Sequence, residues 1–368
     1  MEPSGVTSSP RSNPSLRRAR LAAIAAVIVV AGCQAPSAST GPTAGSTAAS
    51  SGAPTSGPTA APSAQDAGLF RIVGDAPVIA RGMFPDRGAI LPAAVTAADD
   101  GTFHAWVVAF ASTPGTQDVH HLTSADGVTW TEAPDPSLAG LSAGLGNPGA
   151  FPTSVFADDD GWVMYFTGTP ATEREAWEIW RATAPGPDGP WTRLEEPVLQ
   201  RGPAEWDAGT LDFPSVVRTE DGYVMFYSAV PTTDREAGAI GRATSEDGIT
   251  WTKGDAPVIE PGLCGGFDTR ATHQPRVVVQ PDRLVMAYAG YAGAPGEPPG
   301  VGYADSIDGG LTWSCEWPTE ALDTTGLPAG QLHTISAFQR GERVSILVEW
   351  LSNDGTDVWL ADLGLSAP

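Results

Sequence analysis

Acidic and imidazole side chains recur at fixed offsets before prolines in this chain. Asp86 precedes Pro92 by six residues, and Asp207 and Asp268 precede Pro214 and Pro275 by seven. Asp212 and His273 each stand two residues before their proline, and His333 holds the matching place in a further copy without one. Arg270 and Arg276 lie close to His273, and Glu349 follows a strand-like run. Several carboxyl groups around one opening can do general acid–base work, one giving a proton to a leaving oxygen while another activates water. Trp206 and Phe267 directly precede two of the aspartates, and with Phe84 they offer flat rings for a ligand to stack on. His120 and His121 are neighbours in a strand-like run, so their side chains point to opposite faces and cannot share a metal ion; both read as surface histidines. No zinc-type Cys/His spacing, phosphate-binding glycine loop or Gly-x-Ser-x-Gly elbow occurs.

The elements that must hold these residues repeat. Pro92, Pro152, Pro214 and Pro275 follow one another at 60, 62 and 61 residues. "SADGVTW" (124–130), "SEDGITW" (245–251) and "SIDGGLTW" (306–313), with a fainter "GPDGPW" (186–191), place Trp130, Trp191, Trp251 and Trp313 at spacings of 61, 60 and 62. Between each proline and tryptophan lies a run rich in aromatic and β-branched residues, such as "WVMYFTG" (162–168) and "YVMFYSA" (223–229). Each unit therefore holds about four short strands, and five units are present. The spacing predicts an all-β fold, a five-bladed β-propeller of four-stranded antiparallel blades over residues 67–368. "LFRIVGDAPVIARG" (69–82) matches the closing runs of the internal units, so the N-terminal strand is expected to join the last blade and close the ring. That displaced strand argues against a solenoid. Asp126, Asp247 and Asp308 read as turn formers rather than catalytic groups. The first strand of each blade should line the channel, and the loops before these strands should form one mouth.

At this point the chain resembles the five-bladed glycosidases of families 43, 32 and 130. The resemblance rests on "FPTSVFADDDGWVMYF" and "LDFPSVVRTEDGYVMFYS" and covers nearly all of residues 68–368. The "SIDGGLTW" phrase resembles the Asp-box of sialidase-type propellers. The resemblance implies cleavage of glycosidic bonds by inward-facing carboxylates, with Asp212 in the place of the general acid. It also implies a histidine near a bound cation or water, which His273 or His333 would match. The chain departs from family 43 where aspartates directly precede the first- and second-blade prolines, since Leu91 and Phe151 stand there. Asp86 is the substitute base that spacing offers. Asp207 and Asp268 would tune charge or hold the sugar, or else cap the loops before the inner strands. Trp206, Phe267, Arg270, His273, His333 and Glu349 complete the expected substrate-binding set. No cofactor is expected beyond a possible channel cation such as calcium.

The N-terminus speaks to location. Arg17, Arg18 and Arg20 precede the apolar run Leu21–Val30, which ends in "VAGC" (30–33). This resembles a lipoprotein signal over residues 1–32, with Cys33 lipidated. Residues 33–66 are almost wholly Ser, Thr, Ala, Pro and Gly and read as a tether. The remaining cysteines, Cys264 and Cys315, are expected to pair in an oxidising compartment. The net charge of −23 argues against nucleic acid and against anionic lipid as partners. The leading expectation is a monomeric, lipid-anchored glycoside hydrolase on the outer face of a bacterial membrane, acting on oligo- or polysaccharide. Its rivals are a non-catalytic propeller that captures glycan or protein, and a scaffold of the cell envelope.

Overall fold

The computed structural model describes residues 70–85, 87–111, 117–133, 141, 145, 149–169, 177–232, 237–293, 297–315 and 320–364. The signal, Cys33, the tether and Asp86 therefore lie outside the described residues.

The fold is an all-β propeller of five blades. Strand β1 (Phe70–Ile72) comes first among the described residues. Blade 1 is β2 (Arg87–Ala97), β3 (Phe103–Ala111), β4 (Gln117–Ser124) and β5 (Thr131–Glu132). Blade 2 is β6 (Phe151–Asp158), β7 (Gly161–Gly168), β8 (Glu178–Ala184) and β9 (Thr192–Arg193). Blade 3 is β10 (Thr210–Thr219), β11 (Gly222–Val230), β12 (Ala239–Ser245) and β13 (Thr252–Lys253). Blade 4 is β14 (Ala271–Val279), β15 (Leu284–Tyr291) and β16 (Gly300–Ser306), with an interrupted fourth side. There Ser314 bridges to Asp305, and the Ala321 amide donates to the Val301 carbonyl at 2.7 Å. Beyond it β17 (Leu322–Asp323) runs parallel to β1. Blade 5 is β18 (Gly330–Arg340), β19 (Arg343–Ser352) and β20 (Gly355–Leu363). Its fourth strand is β1, with Phe70 paired to Leu363 and Ile72 to Ala361.

The second strand of each blade is buried on both faces, which is why these runs read as continuously apolar instead of alternating. Each is covered by the neighbouring blades. Val163 and Tyr165 of blade 2 pack with Met225 and Tyr227 of blade 3, and Phe226 of blade 3 with Met286 and Tyr288 of blade 4. Phe338, Leu347 and Leu360 of blade 5 pack with Ile90, Phe103 and Val107 of blade 1. The inner strands β2, β6, β10, β14 and β18 neighbour one another in a complete cycle.

The repeated tryptophan phrase forms the hairpin between third and fourth strands. In blade 3 Asp247 Oδ1 accepts from the Ile249 and Thr250 amides at 2.8 and 2.7 Å and from the Ser245 hydroxyl at 3.0 Å. Asp126 and Asp308 accept from the equivalent groups. These bonds hold all three carboxyls down at about 2, with the Thr129 and Thr250 amides leading for Asp126 and Asp247 and the Thr312 hydroxyl for Asp308. In the fainter copy Asp188 instead bonds across to blade 1, to Nδ1 of His121 at 2.7 Å. This corrects the reading of His121 as a surface residue. Its ring is buried, stacked on Trp106 and bonded through Nε2 to Nδ1 of His104 at 3.0 Å. His120 faces the other way, as expected, and pairs with Glu132. Cys264 and Cys315 form a disulfide.

Candidate functional site

The inner strands bring one rung of side chains to the channel. Second-strand residues Val108, Thr167, Ser228, Ala289 and Glu349 recur at spacings of 59, 61, 61 and 60. Opposite them stand Leu91, Phe151, Asp212, His273 and Thr334. In blade 5 His333 is the extra residue just before Thr334. Asp212, His273 and His333 therefore share a level with one another and with the apolar Leu91 and Phe151.

Just below this level the inner strands of blades 1 to 4 bulge, and the bulges differ. Blades 1 and 2 bulge beside Pro92 and Pro152. Blades 3 and 4 carry Phe213 at φ 49° and Gln274 at φ 55°, the only non-glycine residues at positive φ among those described. Each such conformation costs on the order of 1–3 kcal/mol and persists only where surroundings enforce it. Here the preceding blade does so. Thr167 Oγ1 accepts the Phe213 amide at 2.9 Å, and Ser228 Oγ accepts the Gln274 amide at 2.8 Å. Further bonds join the inner strands, from Thr334 Oγ1 to Gln274 Oε1 at 2.6 Å and from Arg276 Nε to the Ile335 carbonyl at 2.9 Å.

Asp212 is buried at the centre of this network. Burial pushes its carboxyl up to about 7, against the opposing effects of the Ser228 hydroxyl bonded to it and the nearby Arg276. Arg276 is buried too and is pulled down to about 9, with Asp212 opposing. Its guanidinium lies 5.5 Å over the Phe213 ring. Nη1 and Nη2 of Arg276 and Oδ1 of Asp212 have no hydrogen-bond partner among the described residues. Such groups are costly to bury unpaired. Tyr291 completes this side. Its hydroxyl is pushed up by burial and then by Asp212, and its ring meets His273 edge-on at 5.7 Å. His273 is held down to about 4 by burial and packs against Gly238, where any Cβ would strike the imidazole. In blade 5 Nδ1 of His333 lies 2.9 Å from Oε2 of the buried Glu349. Arg270 is half-buried, and its amide donates to the Tyr291 carbonyl at 2.8 Å.

The other expected residues are placed differently. Asp207 is buried, and its carboxylate pairs with Lys253 Nζ on the outermost strand of its own blade at 2.7 Å. Asp268 accepts from the Tyr288 hydroxyl at 2.7 Å inside blade 4. Trp206 stacks on Tyr227 and Phe267 lies against Tyr288, with ring centroids 6.3 and 6.0 Å apart. Gly241 and Gly302 leave the room those tyrosines occupy, since a Cβ at either would overlap the ring. An aromatic residue, an aspartate and a tyrosine thus pack together in the same way in blades 3 and 4. Phe267 also lines a groove of 350 Å³ between blades 4 and 5, with Trp350, Glu320 and Leu332. Phe84 is buried against His120 rather than presented at the mouth. Sequence reasoning missed Thr167, Ser228, Gln274, Thr334 and Tyr291, which look like ordinary strand residues until the bulges are seen. No cluster of three or more His, Cys, Asp or Glu positioned for a metal ion occurs among the described residues.

No protein-family model matches the chain, and no curated protein sequence does. Solved structures do. A glycoside hydrolase family 130 protein, from a family described as containing glycoside hydrolases that target β-1,2 mannosidic linkages in Candida mannan, superposes with a TM-score of 0.59 at 17% identity. That match covers 81% of this chain and 96% of the other. A thermostable family-43 glycoside hydrolase gives 0.55 at 14%, covering 76% and 90%. A Bombyx mori family 32 β-fructofuranosidase in complex with sucrose gives 0.55 at 14%, covering 77% of this chain and 62% of that one. The chain has the five-bladed propeller fold seen in these glycosidases.

Proposed function

We propose that this protein is a glycoside hydrolase-like propeller, anchored on the outer face of the bacterial membrane through Cys33 and working on oligo- or polysaccharide at its channel mouth. The observation that carries the reading is Asp212, a carboxyl buried on the channel rung beside Ser228 and Arg276, where burial pushes it up to about 7. A general acid must keep its proton near neutrality. In this reading Asp212 gives its proton to the glycosidic oxygen as the bond breaks. Arg276 and the Ser228 hydroxyl then stabilise the carboxylate left behind. Asp86 activates water from the opposite side. His273, His333, Glu349 and Arg270 hold the sugar. The contacts of Asp207 and Asp268 favour a part in holding the fold.

Similar structures make mannan with β-1,2 linkages and sucrose natural first substrates. The test is a turnover screen on chromogenic α- and β-glycosides with mannan, sucrose, fructan, arabinan and xylan, using Asp212→Asn as control. Turnover lost in the control supports the assignment, and unchanged turnover removes it. Leu91 and Phe151 favour a second reading, a propeller that captures glycan without cleaving it. Binding on a glycan array with no turnover on any substrate would select that reading.

A further inference from the structure

Exposed large hydrophobic side chains are concentrated on one side of this propeller. Among the described residues they are Ile307 (85% exposed), Leu311 (59%), Val279 (53%), Leu263 (52%) and Ile249 (44%). Leu263 lies in the loop before β14, on the mouth side. The other four lie at the far ends of blades 3 and 4. Val279 ends inner strand β14 on the rung Val279–Leu284–Ser306. Ile307 and Leu311 belong to the hairpin that follows Ser306, and Ile249 belongs to the corresponding hairpin of blade 3. The two hairpins adjoin, since Arg242 Nε from blade 3 donates to the Gly309 carbonyl at 3.2 Å. Asp247, Thr250 and Gly309 also line one cleft of 610 Å³. The turn does not require this exposure, because the equivalent Val128 of blade 1 packs against the core between blades 5 and 1.

The course of the chain connects this face to its N-terminal segment. In blade 5 the third and fourth strands are not joined by a hairpin: β20 finishes at Leu363, and Phe70 of β1 starts opposite it. Phe70 also touches blade 4, its amide donating to the Ala321 carbonyl at 2.7 Å. Phe70, where the described chain begins, therefore sits on the hairpin side, beside the blade that carries Ile307 and Leu311 and away from the mouth. Between Cys33 and Phe70 lie 36 residues, Gln34–Leu69. A Gly/Ser-type chain of that length spans about 30–36 Å on average. A domain held that close to a bilayer by this side needs only weak contacts to settle on it.

We propose that the hairpin face of blades 3 and 4 is a membrane-docking surface, with Ile307, Leu311 and Ile249 dipping into the lipid interface and the channel mouth turned outward. The proposal rests on lipid attachment at Cys33 and is independent of the reaction at the mouth. Glu246, Asp247 and Asp308 at the same tips repel anionic headgroups, so the lipid surface this face suits is zwitterionic.

The test uses the full lipidated chain reconstituted into phosphatidylcholine vesicles. A bimane probe is placed at Ile307→Cys or, on the mouth side, at Glu205→Cys, and lipids with brominated acyl chains act as quenchers. Quenching at 307 at least twofold above that at 205 is expected. The ratio should fall towards one when Leu311→Asp and Ile249→Asp are added, and should shrink in vesicles containing phosphatidylglycerol. Equal quenching at both positions, stronger quenching at 205, or none at either would overturn the proposal. Ile307 is exposed, so its replacement leaves the packing intact, and an unchanged melting temperature verifies this.

Discussion

The mouth of the channel has two unlike halves. On blades 1 and 2 the rung facing the channel is Leu91 and Phe151, with Val108 and Phe110 packed beside them. On blades 3 to 5 the same rung carries Asp212 and His273, then His333 with Glu349. The backbones differ with the side chains. The apolar half bulges at prolines, whereas blades 3 and 4 hold Phe213 and Gln274 at positive φ with hydroxyls from the preceding blade. Five copies of one unit thus supply a uniform frame, and polar chemistry gathers where the copies stop matching.

The largest expected effect sharpens that contrast. Asp212→Asn should lower turnover of any cleaved glycoside by about 10²–10⁴-fold, the usual contribution of a positioned acid or base. Steady-state rates measured beside a melting curve would separate lost chemistry from lost fold. Next comes an attempt to make the apolar half resemble the polar one. Leu91 is buried among Ala93 and Val108 with no polar partner, so Leu91→Asp should cost about 3 kcal/mol or more in denaturant unfolding. A tolerated carboxylate there would show that the two halves are not chemically distinct. Smaller still is Asp268→Ala, which strands the Tyr288 hydroxyl and should cost about 1–3 kcal/mol while leaving the turnover rate within a few-fold. A large loss of rate with intact stability would return Asp268 to the catalytic set.

The smallest expected effect is a balance of opposing titrations. Burial depresses His104, His121 and His273, the last to about 4. Below pH 6.5 the unfolded chain binds protons that these native imidazoles refuse, so acidification destabilises the fold. Asp212 works the other way. Its native carboxyl keeps a proton up to about 7 that the unfolded chain releases near 3.8, so acidification through that window stabilises the fold. Wild-type melting temperature should therefore fall only modestly from pH 7 to pH 4.5. Asp212→Asn removes the compensation and should steepen the fall. Parallel curves would contradict the shift assigned to Asp212.

Much of the architecture was legible because it is periodic. Proline and tryptophan spacings located the blades, and "LFRIVGDAPVIARG" pointed to the strand that joins the last one. The offset of Asp212, His273 and His333 from the inner strands placed them on one level. Spacing alone could not say what stands across from a residue. Asp207 and Asp268 share an offset with each other, yet their carboxylates meet Lys253 and Tyr288 inside the blades. His121 looked exposed because Trp106 and Asp188, which enclose it, come from another strand and another blade. Thr167 and Ser228 were invisible because their hydroxyls hold bulges in the next blade, which spacing within one blade does not reveal.

The most direct measurement is the titration of Asp212 itself. Carbon-13 NMR of aspartate carboxyls across pH 3 to 9, with Asp212→Asn to assign the signal, would follow it. A midpoint near 7 is expected, and Arg276→Met should move it higher by removing the opposing charge. A midpoint near the ordinary value of 3.8 would mean that Asp212 is a solvated carboxylate, and the acid role assigned to the polar half of the mouth would fall with it.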